Sequence, residues 1–484
     1  MSATVVLIQP RLKSWSPNVW VPLGPAYVAA ALLQAGYEVQ IVDLNAERLS
    51  EERLRKRIAG ADVVGISGMI TEYKEVLELV RLVKDANDNT KVILGGPLAT
   101  TLPRKLLEVT RADFVVIGEG EGSAVELMSA ITGGTPLDAV RGIAYRRGSE
   151  IVVTEPRAPI ADADTIPMPA RQLLNMERYV KNHFKSFGYQ IDGIKRIRST
   201  NLITSRGCPY SCTFCLKEMW GHKWRGRSSE NIVQEMEQLH SQYGINGFHF
   251  VDDTFVMDRK RVLSFCDLLR KRGLNVIWDC NGRINLMNTE MLSAMYSAGC
   301  RGISYGIESG SQPVLDSIKK GITLDQVRQV VGLTKSAGIN VCGYFMIGML
   351  DETKDSIEKT ISFASELDLD FYGFSITTPL PGTQLFDEAA SRGLISRRPS
   401  EVVGEWSLHA NSNLTRDCTN EELVAYSSRA FKDMVVKKRG GKFYMLNPRF
   451  IAESLGVILS VRNMGQAREL AAKARSVFAS SGKR

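Results

Sequence analysis

The sequence predicts an α/β protein in three parts: a doubly wound parallel domain, a partial (β/α)6 barrel and a helical C-terminal region. Short apolar runs alternate with amphipathic stretches in two separate series, over residues 1–145 and 196–395. The second series holds six strand-helix units, two short of a closed eightfold barrel. The 484 residues, 44% hydrophobic and 24% charged with 41 Gly and 17 Pro, are too many for one small core and exclude disorder, collagen and coiled coil.

In the first series VVLIQP (5–10) is an apolar run ending in a loop, 27–35 is a helical pattern closed by Gly36, and 38–43 is a strand. DVVGIS (62–67), KVIL (91–94) and DFVVI (113–117) are further buried strands, each followed by a turn containing glycine. Amphipathic stretches such as 71–84 separate them. Repeated strand, turn and helix indicates a Rossmann-like parallel sheet whose ligands sit at the carboxyl ends of the strands. Residues 146–195 change character: ADADTIPMPAR carries two prolines, and KNHFKSFGYQIDG has no clean period. They read as a long connecting segment, of the kind that is functional or wraps a neighbouring domain. The second series has strands at 201–205, 247–252, 275–280, 302–308, 340–348 and 371–379, with helices at 229–243, 259–272, 289–298, 324–337 and 354–367. Residues 396–484 are helical and basic, without repeats.

The charge, 61 Lys+Arg against 53 Asp+Glu, is +8. The basic runs (Lys437, Lys438, Arg439; Arg397, Arg398) are short and lack interleaved aromatics. They describe a solvated surface and demand no nucleic acid, while leaving room for acidic small molecules. The longest apolar stretch, 341–350, is about half of a membrane helix, and MSATVVLIQP has no basic region ahead of an apolar core. The expectation is a cytoplasmic protein with no membrane span.

Eight cysteines in such a chain are not a disulfide framework. Cys266, Cys280, Cys300, Cys342 and Cys418 are dispersed and read as small buried hydrophobes. Cys208, Cys212 and Cys215 lie together in RGCPYSCTFC (206–215), directly after the first barrel strand. Thiolates at C-x3-C-x2-C spacing on one loop reach three corners of a cubane and leave the fourth iron open to a small molecule. A closed zinc site needs a fourth ligand, for which His222 is near enough in sequence.

This loop resembles that of the radical S-adenosylmethionine (SAM) superfamily, C-x3-C-x-Φ-C with an aromatic Φ, here Phe214. The resemblance implies a [4Fe–4S] cluster on Cys208, Cys212 and Cys215 and a partial (β/α)6 barrel. The amino and carboxylate groups of SAM would chelate the open iron. One electron would then cleave SAM to a 5′-deoxyadenosyl radical, drawn from an external donor of flavodoxin or ferredoxin type. On the same resemblance Asp252 and Asp253, ending the second strand, hold the SAM amino group; as residues they equally suit a helix cap. Arg283 is placed for a bidentate pair with the SAM carboxylate. Glu308 and Ser309, in GIESG (306–310), end the fourth strand, where a carboxylate can accept from a ribose diol. Gly343 and Gly348 admit adenine, or serve core packing.

With the N-terminal domain, the arrangement resembles the cobalamin-binding radical SAM class, which includes class B methylases and anaerobic Mg-protoporphyrin monomethyl ester cyclases. PLG (22–24), GISGM (65–69), GGP (95–97) and GEGE (118–121) carry the likeness. It implies a corrin against Ser67, Gly68 and Met69, against Gly95, Gly96 and Pro97, and against Gly118, Glu119, Gly120 and Glu121. Each alone reads equally as an ordinary turn. The D-x-H-x-x-G signature is absent, residues 43–48 reading DLNAER. The five histidines, His183, His222, His240, His249 and His409, all lie outside residues 1–145, so cobalamin there would lack a histidine ligand. Three functions follow: C-methylation of a small molecule; another radical reaction such as oxidative ring closure, dehydration or rearrangement, with cobalamin auxiliary or absent; or a non-catalytic iron–sulfur carrier. The open iron, Arg283 and Glu308 argue against the last.

Overall fold

The computed structural model describes residues 3–12, 19–181, 183–184, 189, 191, 196–396 and 413–438. Its first sheet contains β1 (Thr4–Gln9), β2 (Glu38–Asp43), β3 (Val63–Ser67), β4 (Lys91–Gly95) and β5 (Phe114–Val116), all parallel, in the order β2-β1-β3-β4-β5. Val5, Val6, Ile8, Val63, Val64 and Val92 are almost fully buried, because helices cover both faces. Helices Leu23–Gln34 and Gly120–Ile131 pack on one face through Ala26, Ala29, Ala124 and Met128. Helices Glu51–Ile58, Tyr73–Ala86 and Pro103–Val109 pack on the other through Leu54, Val76, Val80 and Leu106. The order turns back between β1 and β3, which places the crevice for a ligand beyond the carboxyl ends of these strands.

The sheet runs past residue 145, the boundary expected from the sequence. β6 (Ile143–Arg147) and β7 (Glu150–Val153) form a hairpin that joins β5 antiparallel, so residue 145 falls inside a strand. The turn RRGSE between them gives no apolar alternation, and a search for parallel units passes over it.

The second sheet is β8 (Ser199–Leu202), β11 (Gly247–Phe250), β12 (Ile277–Gly282), β13 (Cys300–Glu308), β14 (Asn340–Ile347) and β15 (Phe371–Ile376), parallel and in chain order. This is the six-stranded partial barrel. A short antiparallel pair, β9 (Ser205–Arg206) with β10 (Arg225–Gly226), closes the loop after β8. Alternate side chains face opposite ways along each strand. Phe250, Trp278, Cys280 and Tyr305 pack outward with the helices, where the rings of Phe250, Phe255 and Trp278 lie 4.9–5.4 Å apart. His249 and Asp279 fall on the opposite, inward face and pair at 2.8 Å.

The connecting segment ties the two sheets together. Ala170 N donates to Ala26 O (2.9 Å) and the Tyr179 hydroxyl donates to Asp43 (2.9 Å). Arg171 pairs with Glu235 of the first barrel helix and donates to Asn201 O (3.1 Å). Of the expected helical region at 396–484, helix Asn420–Lys438 is described; it covers β15, with Leu423 and Ala430 buried against Ile347 and Ile376. Residues 397–412 and 439–484 lie outside the described residues. No helix among the described residues is long and apolar enough to cross a membrane.

Candidate active site

The loop between β9 and β10 is drawn into a noose by the pairing of Arg206 with Arg225, and it carries all three clustered cysteines. Cys208 is half-buried, Cys212 buried and Cys215 exposed. Segments that follow the barrel strands hold the loop: Thr213 N donates to Ile318 O (3.1 Å), Leu385 N donates to Thr213 O (2.9 Å), and Cys208 Sγ stands 3.9 Å from Thr254 Oγ1. A hydrogen bond from Cys215, together with the charges of Lys320 and Arg283, pulls the Cys212 thiol below its ordinary range against its burial, and the Cys215 thiol goes up as the donor. Among the described residues no three His, Cys, Asp or Glu side chains converge as ligands of a single ion would. A cubane is wider than an ion, and three thiols on one loop, one of them already held toward thiolate, suit its corners. His222 is exposed and joins no such group.

The groups expected to hold SAM divide in two. Arg283, buried, stacks 3.5 Å over the Tyr210 ring, donates to Lys320 O and brings Nη1 to 3.9 Å from Cys212 Sγ. Its Nε has no hydrogen-bond partner, which suits an incoming carboxylate beside the cluster loop. Glu308 ends β13 with φ 70 and pairs with Lys320 at 2.7 Å, and Lys320 Nζ lies 5.9 Å from the centre of the Phe214 ring. Asp253 is exposed, yet sits deep enough in the cleft for desolvation to raise its pKa, with Asp252 adding to the rise and Lys217 opposing it. Arg283, Glu308 and Phe214 are therefore brought together beside the thiols, and Asp253 precedes Thr254, which stands against Cys208.

Asp252, Ser309, Gly343 and Gly348 are engaged in contacts within the protein. The Asp252 carboxylate is consumed by Thr204 N (2.6 Å), the Thr204 hydroxyl and the Ser205 hydroxyl (2.6 Å), so it braces the backbone ahead of the cysteine loop. Neither Asp252 nor Asp253 caps the next helix; Asp258 does. Ser309 is fully buried, with its hydroxyl on Thr360 (2.9 Å) and accepting from Ser311 N (3.1 Å), so it fixes a turn. A Cβ on Gly343 would lie 2.6 Å from Leu369, which makes that glycine a packing requirement. Gly348 has φ +81 and meets Leu423 of the C-terminal helix, so it belongs to the turn that ends β14.

At the carboxyl ends of the first sheet, the β3 and β4 turns interlock: Gly68 N donates to Gly95 O (3.2 Å), and Leu98 N donates to Gly68 O (3.0 Å). Pro97 lies in the first turn of helix Gly96–Thr101. A Cβ on Gly95 or on Gly118 would meet nothing within 4 Å, and Met69 is 48% exposed. Open backbone and an exposed thioether on adjoining turns fit a flat apolar macrocycle. Gly68 and Gly120 are packing glycines, against Val76 (2.5 Å) and Val28 (3.1 Å), and Gly96 abuts Ser67 Oγ (2.9 Å). Glu119 and Glu121 need a larger correction, because both are buried in ion pairs. Glu119 accepts from Arg206 (3.1 Å), Arg225 (2.8 Å) and Ile160 N (2.6 Å), and Glu121 accepts from Arg206 (2.5 Å). These four side chains join the N-terminal turn to both ends of the cysteine noose.

Sequence reasoning missed Arg206, Arg225, Lys320 and Tyr210. The adjacency of Arg206 to Cys208 was a usable signal. The KKG turn that supplies Lys320 reads as ordinary surface. Trp220 and Trp224, which follow the cysteines, stack under Arg206 (4.5 Å) and Arg261 (5.1 Å).

Two family models match the chain: a B12 binding domain over residues 15–128 and the Radical SAM superfamily over residues 202–364. An uncharacterised methyltransferase of Pyrococcus horikoshii is 35% identical over 378 residues, covering 77% of this chain and 79% of that one. The anaerobic magnesium-protoporphyrin IX monomethyl ester cyclase of Rubrivivax gelatinosus is 30% identical over 401 residues, covering 80% and 70%. Among solved structures, the radical S-adenosylmethionine methyltransferase TsrM from Kitasatospora setae, with cobalamin and a [4Fe-4S] cluster bound, superimposes with a TM-score of 0.71 at 19% identity, covering 89% of this chain and 91% of that one.

Proposed function

The chain belongs to the radical SAM superfamily and is one of its B12-domain enzymes, and from that premise we propose that it methylates an unactivated carbon of a small-molecule substrate. The observation that carries this reading is the buried network of Arg206, Arg225, Glu119 and Glu121. It fixes the crevice of the first sheet against the mouth of the barrel, so that a corrin and SAM would face one substrate. When bound, the cluster supplies the electron that cleaves SAM and cobalamin carries the methyl group.

The residues divide the remaining work. Cys208, Cys212 and Cys215 hold the cluster, Arg283 pairs with the SAM carboxylate, Glu308 accepts from its ribose, and Asp253 faces its amino group. Met69, Gly95 and Gly118, on the turns that follow β3, β4 and β5, carry the corrin, with Met69 against its face and no histidine of residues 1–145 to offer the metal. Tyr344, 37% exposed on β14, and Val251, 44% exposed just past the end of β11, border the lumen where substrate lies. An external donor of flavodoxin or ferredoxin type delivers the electron, and eight unpaired thiols suit the reducing cytoplasm.

The 30% identity to a cyclase supports ring closure as the second reading. Product counting separates the two. Anaerobically reconstituted protein with cobalamin, SAM and candidate substrates should release S-adenosylhomocysteine together with 5′-deoxyadenosine. Cobalamin binding with 5′-deoxyadenosine alone would favour ring closure, and protein that takes up no cobalamin would end the methylation proposal.

A further inference from the structure

We infer that Lys320 is a positioning residue of the SAM site: it fixes the Glu308 carboxylate and sets a positive charge against the cysteine loop. The inference rests on the reading above, in which the three thiols hold the cluster and SAM lies beside Arg283. Lys320 Nζ donates to Glu308 Oε1 at 2.7 Å, with the two side chains only 9% and 8% exposed. One carboxylate oxygen held in this way fixes the plane in which Glu308 meets a ribose diol.

The backbone is bent to make the pair. Glu308 has φ 70, and the register between β13 and β14 shifts between Gly306 and Glu308. A Cβ at position 306 would lie 2.4 Å from Glu308 Oε1 and 2.9 Å from Lys320 Nζ, so a larger residue there would push the pair aside. Lys320 itself follows Lys319, at φ 54. Left-handed backbone at two non-glycine residues in one site is unfavourable and persists where the surroundings demand it. A buried ion pair is weak ground for stability, so stability alone does not explain the strain.

The same turn grips the cysteine loop. Thr213 N donates to Ile318 O, the Cys212 thiol lies 3.9 Å from Lys319 O, and Arg283 donates to Lys320 O. Lys320 Nζ faces the ring of Phe214, which sits between Cys212 and Cys215. A fixed cation at this place favours the added electron of a reduced cluster, because net charge near an iron–sulfur centre sets its potential.

The experiment uses the full chain, reconstituted anaerobically, as wild type, Lys320→Met, Lys320→Arg, Glu308→Gln and the Glu308→Gln/Lys320→Met double variant. Iron content, the cluster's midpoint potential without SAM (followed by electron paramagnetic resonance) and the SAM dissociation constant are measured. Lys320→Met should keep its iron, move the potential to more negative values and weaken SAM binding about tenfold. Lys320→Arg should restore the potential. Glu308→Gln should move it the opposite way, with the double variant between the two singles. Wild-type potential and SAM affinity in Lys320→Met overturn the inference. If that variant does not fold, equal potentials in Glu308→Gln and the double variant overturn it, since these two differ only at Lys320. Wild-type protein that takes up neither cluster nor SAM sinks the proposed function instead, which keeps the two failures apart.

Discussion

Glu352 and Glu72 are carboxylic acids that the fold has closed off from water, one in each sheet domain. Each is 1% exposed, and burial pushes each up from 4.5 to about 7. Glu352 accepts from Gly348 N (2.7 Å) and Met349 N (3.0 Å), and Glu72 accepts from Met69 N (2.9 Å). These bonds oppose the rise without cancelling it. The folded pKa lies above the unfolded one, so the fold prefers the protonated acid. The resulting stability is complete below about 4.5 and is lost as pH rises through about 7. Glu352→Gln keeps an acceptor for both amides and never ionises. It should therefore be more stable than wild type at pH 8, by on the order of 2 kcal/mol, with the difference closing by pH 4.5. Thermal midpoints of the two proteins across that range decide the matter; a constant difference would show that Glu352 does not titrate in this window.

At the scale of elements, the cysteine loop depends on how its chain leaves β9. Gly207 has φ +84, and a Cβ there would lie 2.4 Å from the backbone oxygen of Lys223, on the far side of the noose. Gly207→Ala adds about 1–2 kcal/mol of left-handed strain to a clash with backbone that cannot turn aside. The loop should open at its root, so reconstituted Gly207→Ala should hold substoichiometric iron while its barrel melts as a folded unit. Full iron content would show that the noose is not needed for the cluster. Elements of this kind mark the edge of what a sequence discloses. The parallel strands of the first sheet were legible because burial on both faces writes continuous apolar runs, as in Thr4–Gln9 and Val63–Ser67. The β6–β7 hairpin was not, because its charged, solvent-facing turn interrupts no such run. In the candidate site, the grouping of the cysteines on one loop was legible from their spacing. Ser309 and Gly343 stayed ambiguous because a polar or small residue at a strand end serves packing as readily as ligand binding. Lys320 was invisible because its partner, Glu308, is twelve residues away across a turn.

Over the whole molecule, Glu119 is one of the points at which the two domains are held in one arrangement. Its carboxylate accepts from both guanidiniums that bracket the cysteine loop, and from Ile160 N of the connecting segment. The side chains of Arg206, Arg225 and Glu119 are 3–4% exposed, so none has water to fall back on. Breaking such a network from one side costs far more than it contributes when whole, about 3–5 kcal/mol, because unpaired charges stay buried. Glu119→Ala leaves Arg206 with Glu121 but removes the carboxylate partner of Arg225. The crevice and the barrel mouth should then part. A lower thermal midpoint and faster proteolysis within residues 154–181, the segment stretched between the domains, are the expected readings. Salt separates this from a surface effect, because screening reaches exposed pairs and hardly touches buried ones. The loss in Glu119→Ala should thus be the same at low and high ionic strength. A loss that salt erases would place the network in solvent, and an unchanged midpoint would mean that the domains are fixed elsewhere, leaving the corrin turns and the cluster loop mechanically independent.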